Sequence, residues 1–147
     1  MSIFNWFPAL VMSVILFCTP ATAAPCAADV TNAAILVTAR TGYMVAALAC
    51  DGQPMMSSAY DALVRNHRQE LTRAQSKLVS AFRNGATGYD VWLTETANHQ
   101  STLWQGDAAC PVALAEMRAL SVPMGVDLSK GALARKWNHL PLPFCRP

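Results

Sequence analysis

SAYDALVRNHRQELTRAQSKLVSAFRN, from Ser58 to Asn84, is the stretch on which the fold turns. Tyr60, Leu63, Val64, Leu71, Ala74, Leu78, Val79 and Phe82, with His67 in line among them, recur at intervals of three and four, the period of one helix face. The other side carries Arg65, Arg68, Glu70, Arg73, Lys77 and Arg83. A long helix with a single apolar stripe needs partners to cover it, and this spacing suits antiparallel packing at a shallow angle. Ser58 with Asp61 reads as a variant capping box at its start, and Gly85 marks its end.

Working outward, the same signals recur and strand signals are almost absent. Upstream, a helix is predicted from Val30 to about Ala49, with Asp29 as its cap and Asp51-Gly52 as its stop. Val30, Ala34, Val37, Thr41, Met44 and Leu48 form its expected buried stripe. Downstream, Gly85-Ala86-Thr87-Gly88 reads as a linker short enough to force an antiparallel neighbour. That neighbour is predicted over Tyr89–Trp104, with Thr87 and Asp90 at its start and Tyr89, Trp92, Leu93, Thr96, Ala97, Leu103 and Trp104 as its apolar set. Gln105-Gly106 ends it. Asp107 then caps a fourth helix over Ala108–Leu120, whose apolar residues are Val112, Leu114, Ala115, Met117 and Leu120. Pro111 fits its first turn, where a missing N–H costs nothing. A short fifth helix is expected near Ser129–Trp137, followed by an extended tail punctuated by Pro141, Pro143 and Pro147. The expected fold is therefore all-α, a small antiparallel four-helix bundle with a short fifth helix and an extended C-terminal tail.

The N-terminus reads differently. Ile3 to Cys18 is apolar and free of charge, and Pro20 and the small residues Ala21-Thr22-Ala23 follow it, as at a signal-peptidase site. Residues 1–23 are expected to be a signal peptide cut after Ala23, leaving residues 24–147 as one exported domain with no stable membrane span. No Lys or Arg precedes the run, which departs from the usual signal pattern and leaves the α-amino group as its only positive charge.

Cysteine arithmetic points the same way. The chain has five cysteines, and cleavage discards Cys18 and leaves the even set Cys26, Cys50, Cys110 and Cys145. Without C-x-x-C or C-x-x-C-H, these read as structural disulfides of an oxidising compartment, not as a redox motif, a zinc knuckle or a haem attachment. In an up-down-up-down bundle the first helix ends where the fourth begins, which brings Cys50 to Cys110. The opposite end is left for Cys26 and Cys145. Each bridge would contribute about 2–4 kcal/mol by the chain-entropy argument.

The formal charge of +2 gives no warrant for nucleic-acid binding. No Gly-x-Ser-x-Gly turn is present and no pair of glutamates stands out, so the expected function is a non-enzymatic binding or structural accessory module, periplasmic or secreted and without a cofactor. Its partner would be an extracytoplasmic protein or an acidic envelope component. Two surfaces are candidates: the cationic side Arg65, Arg68, Arg73, Lys77 and Arg83, and Met55 with Met56 in the first inter-helix loop, where methionine suits adaptable contacts. The alternative is a metal-binding bundle enzyme using His67, Glu70, Glu95 and His99, since facing helices can pool such pairs. The sequence lacks the Glu-x-x-His pairs of di-metal bundles, so a hydrogen-bonded buried His67 and a surface Glu95–His99 pair are the plainer expectation.

The export reading predicts the intact mass of exported protein to begin at Ala24, with thiols closed to alkylation until reduction and four modified afterwards. A full-length mass with free thiols would overturn it.

Overall fold

Ala33 to Ala39 is an unbroken run of buried residues, and Thr41, Gly42, Tyr43 and Ala46 continue it. No single stripe accounts for this. A helix buried all round must be enclosed by others, and α1 (Ala28–Ala49) touches each of the four helices that follow: α2 (Met56–Asn66), α3 (Arg68–Ala81), α4 (Gly85–Leu103) and α5 (Ala109–Leu120). The computed structural model describes residues 26–104, 108–122 and 142–145, and among them there is no strand. The fold is the expected all-α antiparallel bundle, with α2 and α3 together in the place of one long helix. α1 passes the length and composition test for a membrane span, but 61% of its most apolar window is buried inside the bundle, as in a core helix.

Three corrections concern α1. Asp29 does not cap it. Ala27 occupies the cap position, and Asp29 sits in the first turn, where one carboxylate oxygen accepts from the Val30 N–H and the other pairs with Lys77. Its negative charge still suits the positive end of the helix. Leu48, placed on the predicted stripe, is 71% exposed because it lies beyond the neighbours that cover the middle of the helix. The left-handed residue of the following turn is Met55, at φ 70°, and not Gly52.

The deciding stretch keeps its stripe, with Leu63, Leu71, Ala74, Leu78 and Phe82 buried. It is nevertheless broken at His67, which takes φ −109° and ψ 14°. The last carbonyls of α5 lack intrahelical donors, and residues at the break supply them. His67 Nε2 lies 2.8 Å from the Leu120 carbonyl, and Asn66 Nδ2 donates to the Ser121 carbonyl. A carbonyl only accepts, so Nε2 carries a proton; the Glu70 carboxylate, whose Oε2 is 3.3 Å from Nδ1, also only accepts and bonds to that nitrogen only when it too is protonated. The break allows α2 to pack on α5 while α3 packs on α4.

The α3–α4 connection is also shorter than predicted. α3 ends at Ala81, and α4 begins at Gly85, so the expected linker forms its first turn and Thr87 is not the cap. Two glycines there overrule helix propensity for separate reasons. Gly85 has φ +52°, and a Cβ on Gly88 would stand 3.1 Å from the Phe82 ring. Phe82 needs that closeness because it centres an aromatic group with Tyr89, Trp92 and Phe144, the last edge-on at 4.8 Å. In α4 Leu103 is half exposed. In α5 Val112 and Ala115 face solvent while Ala113, Leu114 and Met117 are buried. Pro111 lies in the first turn of α5 as expected.

Both cysteine pairs form as the topology predicts. The Cα atoms of Cys50 and Cys110 are 5.8 Å apart at one end of the bundle, and those of Cys26 and Cys145 are 5.1 Å apart at the other, within disulfide range. Around the second pair the tail is a turn with Leu142 buried and Phe144 packed on Phe82. The expected signal peptide 1–23, the expected stop and cap at Gln105-Gly106-Asp107, the expected short helix Ser129–Trp137, and Pro141 and Pro147 lie outside the described residues.

If the break exists to cap α5, His67→Ala should cost about 1–3 kcal/mol, the penalty for stranding a buried carbonyl. Glu70→Gln, at the exposed side of the ring, should cost far less. Urea denaturation of both variants with disulfides intact measures the difference.

Candidate functional site

The cationic side of α2 and α3 follows from the helix period. With Leu63, Leu71, Ala74 and Leu78 turned inward, Arg65, Arg68, Arg73, Lys77 and Arg83 are all turned to solvent. Lys77 pairs with Asp29, whose carboxyl is held below its ordinary pKa first by the hydrogen bond from that ammonium. The four arginines have no acidic partner among the described residues. Glu70 lies 3.3 Å from His67 Nδ1, and Asp61 is the other acidic group of these helices. From Arg65 to Arg83 the face therefore presents uncompensated positive charge over about 19 residues, roughly 28 Å of the two helices.

Beside it, Val30 of α1 and the outer rows of α3 line an open groove of about 570 Å³. Thr72, Ser76 and Ser80 form one row at intervals of four, and Arg73 and Lys77 form the adjacent row.

Met55 and Met56 do not act together. Met56, 1% exposed, is a core residue at the start of α2, so it is withdrawn from the candidate surface. Met55 is 62% exposed, and its sulfur lies 2.9 Å from Arg118 Nη2. That places it against the last turn of α5. Leu48, Leu103 and Val112 are also about half exposed or more, at the helix ends nearest the Cys50–Cys110 pair.

The proposed metal ligands do not gather. His67 and Glu70 face the end of α5, whereas Glu95 and His99 are exposed on α4, and among the described residues no group of three or more His, Cys, Asp or Glu is placed to hold a metal ion. Glu116 has a structural part. Its Oε2 accepts from the hydroxyl of Tyr43, a residue 1% exposed, at 2.9 Å. Burial, and then the Glu116 carboxylate, push that hydroxyl far above the usual tyrosine pKa. Burial raises Tyr89 as well, with Arg40 opposing.

Among the described residues the interior holds a polar feature of which the sequence pattern placed only Thr41 and Thr96 inward. The buried polar residues are Thr38 and Thr41 on α1 and Thr96 and Gln100 on α4, two helices in contact. Thr41 Oγ1 donates to the Val37 carbonyl at 2.8 Å, while Thr38 Oγ1 and Gln100 Oε1 have no partner among the described residues. The spacing carries a signal for Gln100, since Trp92, Thr96 and Gln100 continue one buried stripe at intervals of four.

Single substitutions separate the two methionines. Met56→Ser should cost about 2–5 kcal/mol, as for a large-to-small core change. Met55→Ser should stay within about 0.5 kcal/mol, as for an exposed side chain. Thermal or urea unfolding reads both.

Compared with protein-family models, with curated proteins and with solved structures, the chain finds no match, so the functional argument rests on its own residues.

Proposed function

We propose that this protein is an exported, non-enzymatic helical module, periplasmic or secreted, that works by binding an acidic component of the cell envelope or an acidic extracytoplasmic protein. The observation that carries the reading is the cationic side of α2 and α3, where Arg65, Arg68, Arg73 and Arg83 are exposed without an acidic partner among the described residues. Uncompensated charge of one sign raises the local concentration of oppositely charged partners and speeds their encounter. The compartment is supported by the two cysteine pairs, which suit an oxidising environment, and by the uncharged apolar run Ile3–Cys18.

A second reading, contact with a protein through the Cys50–Cys110 end of the bundle, draws on the exposed Leu48, Leu103 and Val112. It complements the first because the two surfaces differ in chemistry. The metal-enzyme alternative has no gathered ligand set to support it.

Titration calorimetry against dextran sulfate at salt concentrations from about 50 to 300 mM tests the electrostatic reading. Binding should fall steeply as salt rises, and the combined Arg65→Gln, Arg68→Gln, Arg73→Gln and Arg83→Gln variant should lose most of it while keeping its helical signal. Affinity indifferent to salt, or unchanged in that variant, would overturn the reading.

A further inference from the structure

We infer that the groove between the start of α1 and α3 is a binding site for a linear anionic carbohydrate polymer, with carboxylate or phosphate groups at Arg73 and Lys77 and ligand hydroxyls along Thr72, Ser76 and Ser80. The inference rests on the electrostatic reading of the same face and names its ligand class.

The geometry is that of a track. Residues four apart on a helix rise about 6 Å per step and lie nearly above one another. Thr72, Ser76 and Ser80 are thus a row of hydroxyls at a regular interval, and Arg73 and Lys77 are a parallel row of cations. Val30 supplies the opposite wall. Ser80 Oγ donates to the Ser76 carbonyl at 2.9 Å and keeps its lone pairs, while the Thr72 and Ser76 hydroxyls have no protein partner among the described residues. Such hydroxyls both donate and accept, which suits a ligand rich in hydroxyls, and the neighbouring cations suit its anions.

The lining has no aromatic residue and no large apolar anchor apart from Val30, so charged and hydroxyl groups must carry the binding. Asp29 bears directly on the site because it pairs with Lys77 and competes with any incoming anion.

Calorimetry on the disulfide-closed protein tests this with three probes: polygalacturonate, which carries carboxylates and hydroxyls; polyglutamate, which has carboxylates on a peptide; and neutral dextran. Wild type should bind polygalacturonate most tightly and dextran not at all. Arg73→Gln with Lys77→Gln should weaken polygalacturonate at least about tenfold, and Arg65→Gln with Arg83→Gln much less. Thr72→Val with Ser76→Ala should weaken polygalacturonate about three- to tenfold and leave polyglutamate unchanged. Asp29→Asn, by freeing Lys77, should strengthen binding, and Asp61→Asn, which removes the same charge elsewhere, should not match it.

Equal losses from the two cation pairs, or equal effects of the hydroxyl variant on both acidic probes, would overturn the groove site while leaving the electrostatic reading standing. Tighter binding to polyglutamate than to polygalacturonate would overturn the carbohydrate assignment in favour of an acidic protein. No binding to either acidic probe at low salt would end both proposals.

Discussion

The enclosure of α1 is the constraint from which the rest of the structure follows. A 22-residue helix whose middle is buried on every side needs more cover than three straight neighbours provide, and the chain supplies it by breaking its longest helical stretch. The half before His67 joins α5, and the half after it joins α4. Small side chains at Ala33, Ala34, Ala39 and Ala46 let those neighbours come close, and the cross-helix cap from His67 and Asn66 fixes where α5 stops. The cysteine pairs then close both ends of an arrangement that packing has already set.

Much of this was legible in the sequence, and the failures have physical causes. The disulfide pairing could be read because short linkers alternate helix direction, and direction decides which cysteines share an end. The break at His67 was hidden because the three-four spacing runs through it in register; only the carbonyls of α5, distant in sequence, reveal its purpose. Gly85 to Gly88 read as a linker on propensity alone, whereas the approach of Phe82 to Gly88 makes glycine the residue that fits a helix there. Leu48 was assigned inward by period, which reports the face of a helix but not how far along its axis the cover extends.

The candidate site divides the same way. Exposure of the arginines was foreseeable, since it is the complement of the stripe. The groove was not, because it needs Val30 of α1 beside the outer rows of α3. The two methionines looked equivalent as neighbours after Pro54, yet the left-handed turn at Met55 sends one outward and the next into the core. Chemistry in this protein is thus partitioned: His67 and the buried tyrosines serve the fold, and the arginines of α2 and α3 are displayed outside.

The part played by His67 is the most exposed link in this account, because the broken helix, the end of α5 and the cover over α1 all meet there. Nitrogen NMR of the imidazole reports directly which ring atoms hold a proton. The account predicts the Nε2–H form, donating to the Leu120 carbonyl. A ring protonated at Nδ1 alone, or one exchanging freely between the two forms, would contradict it.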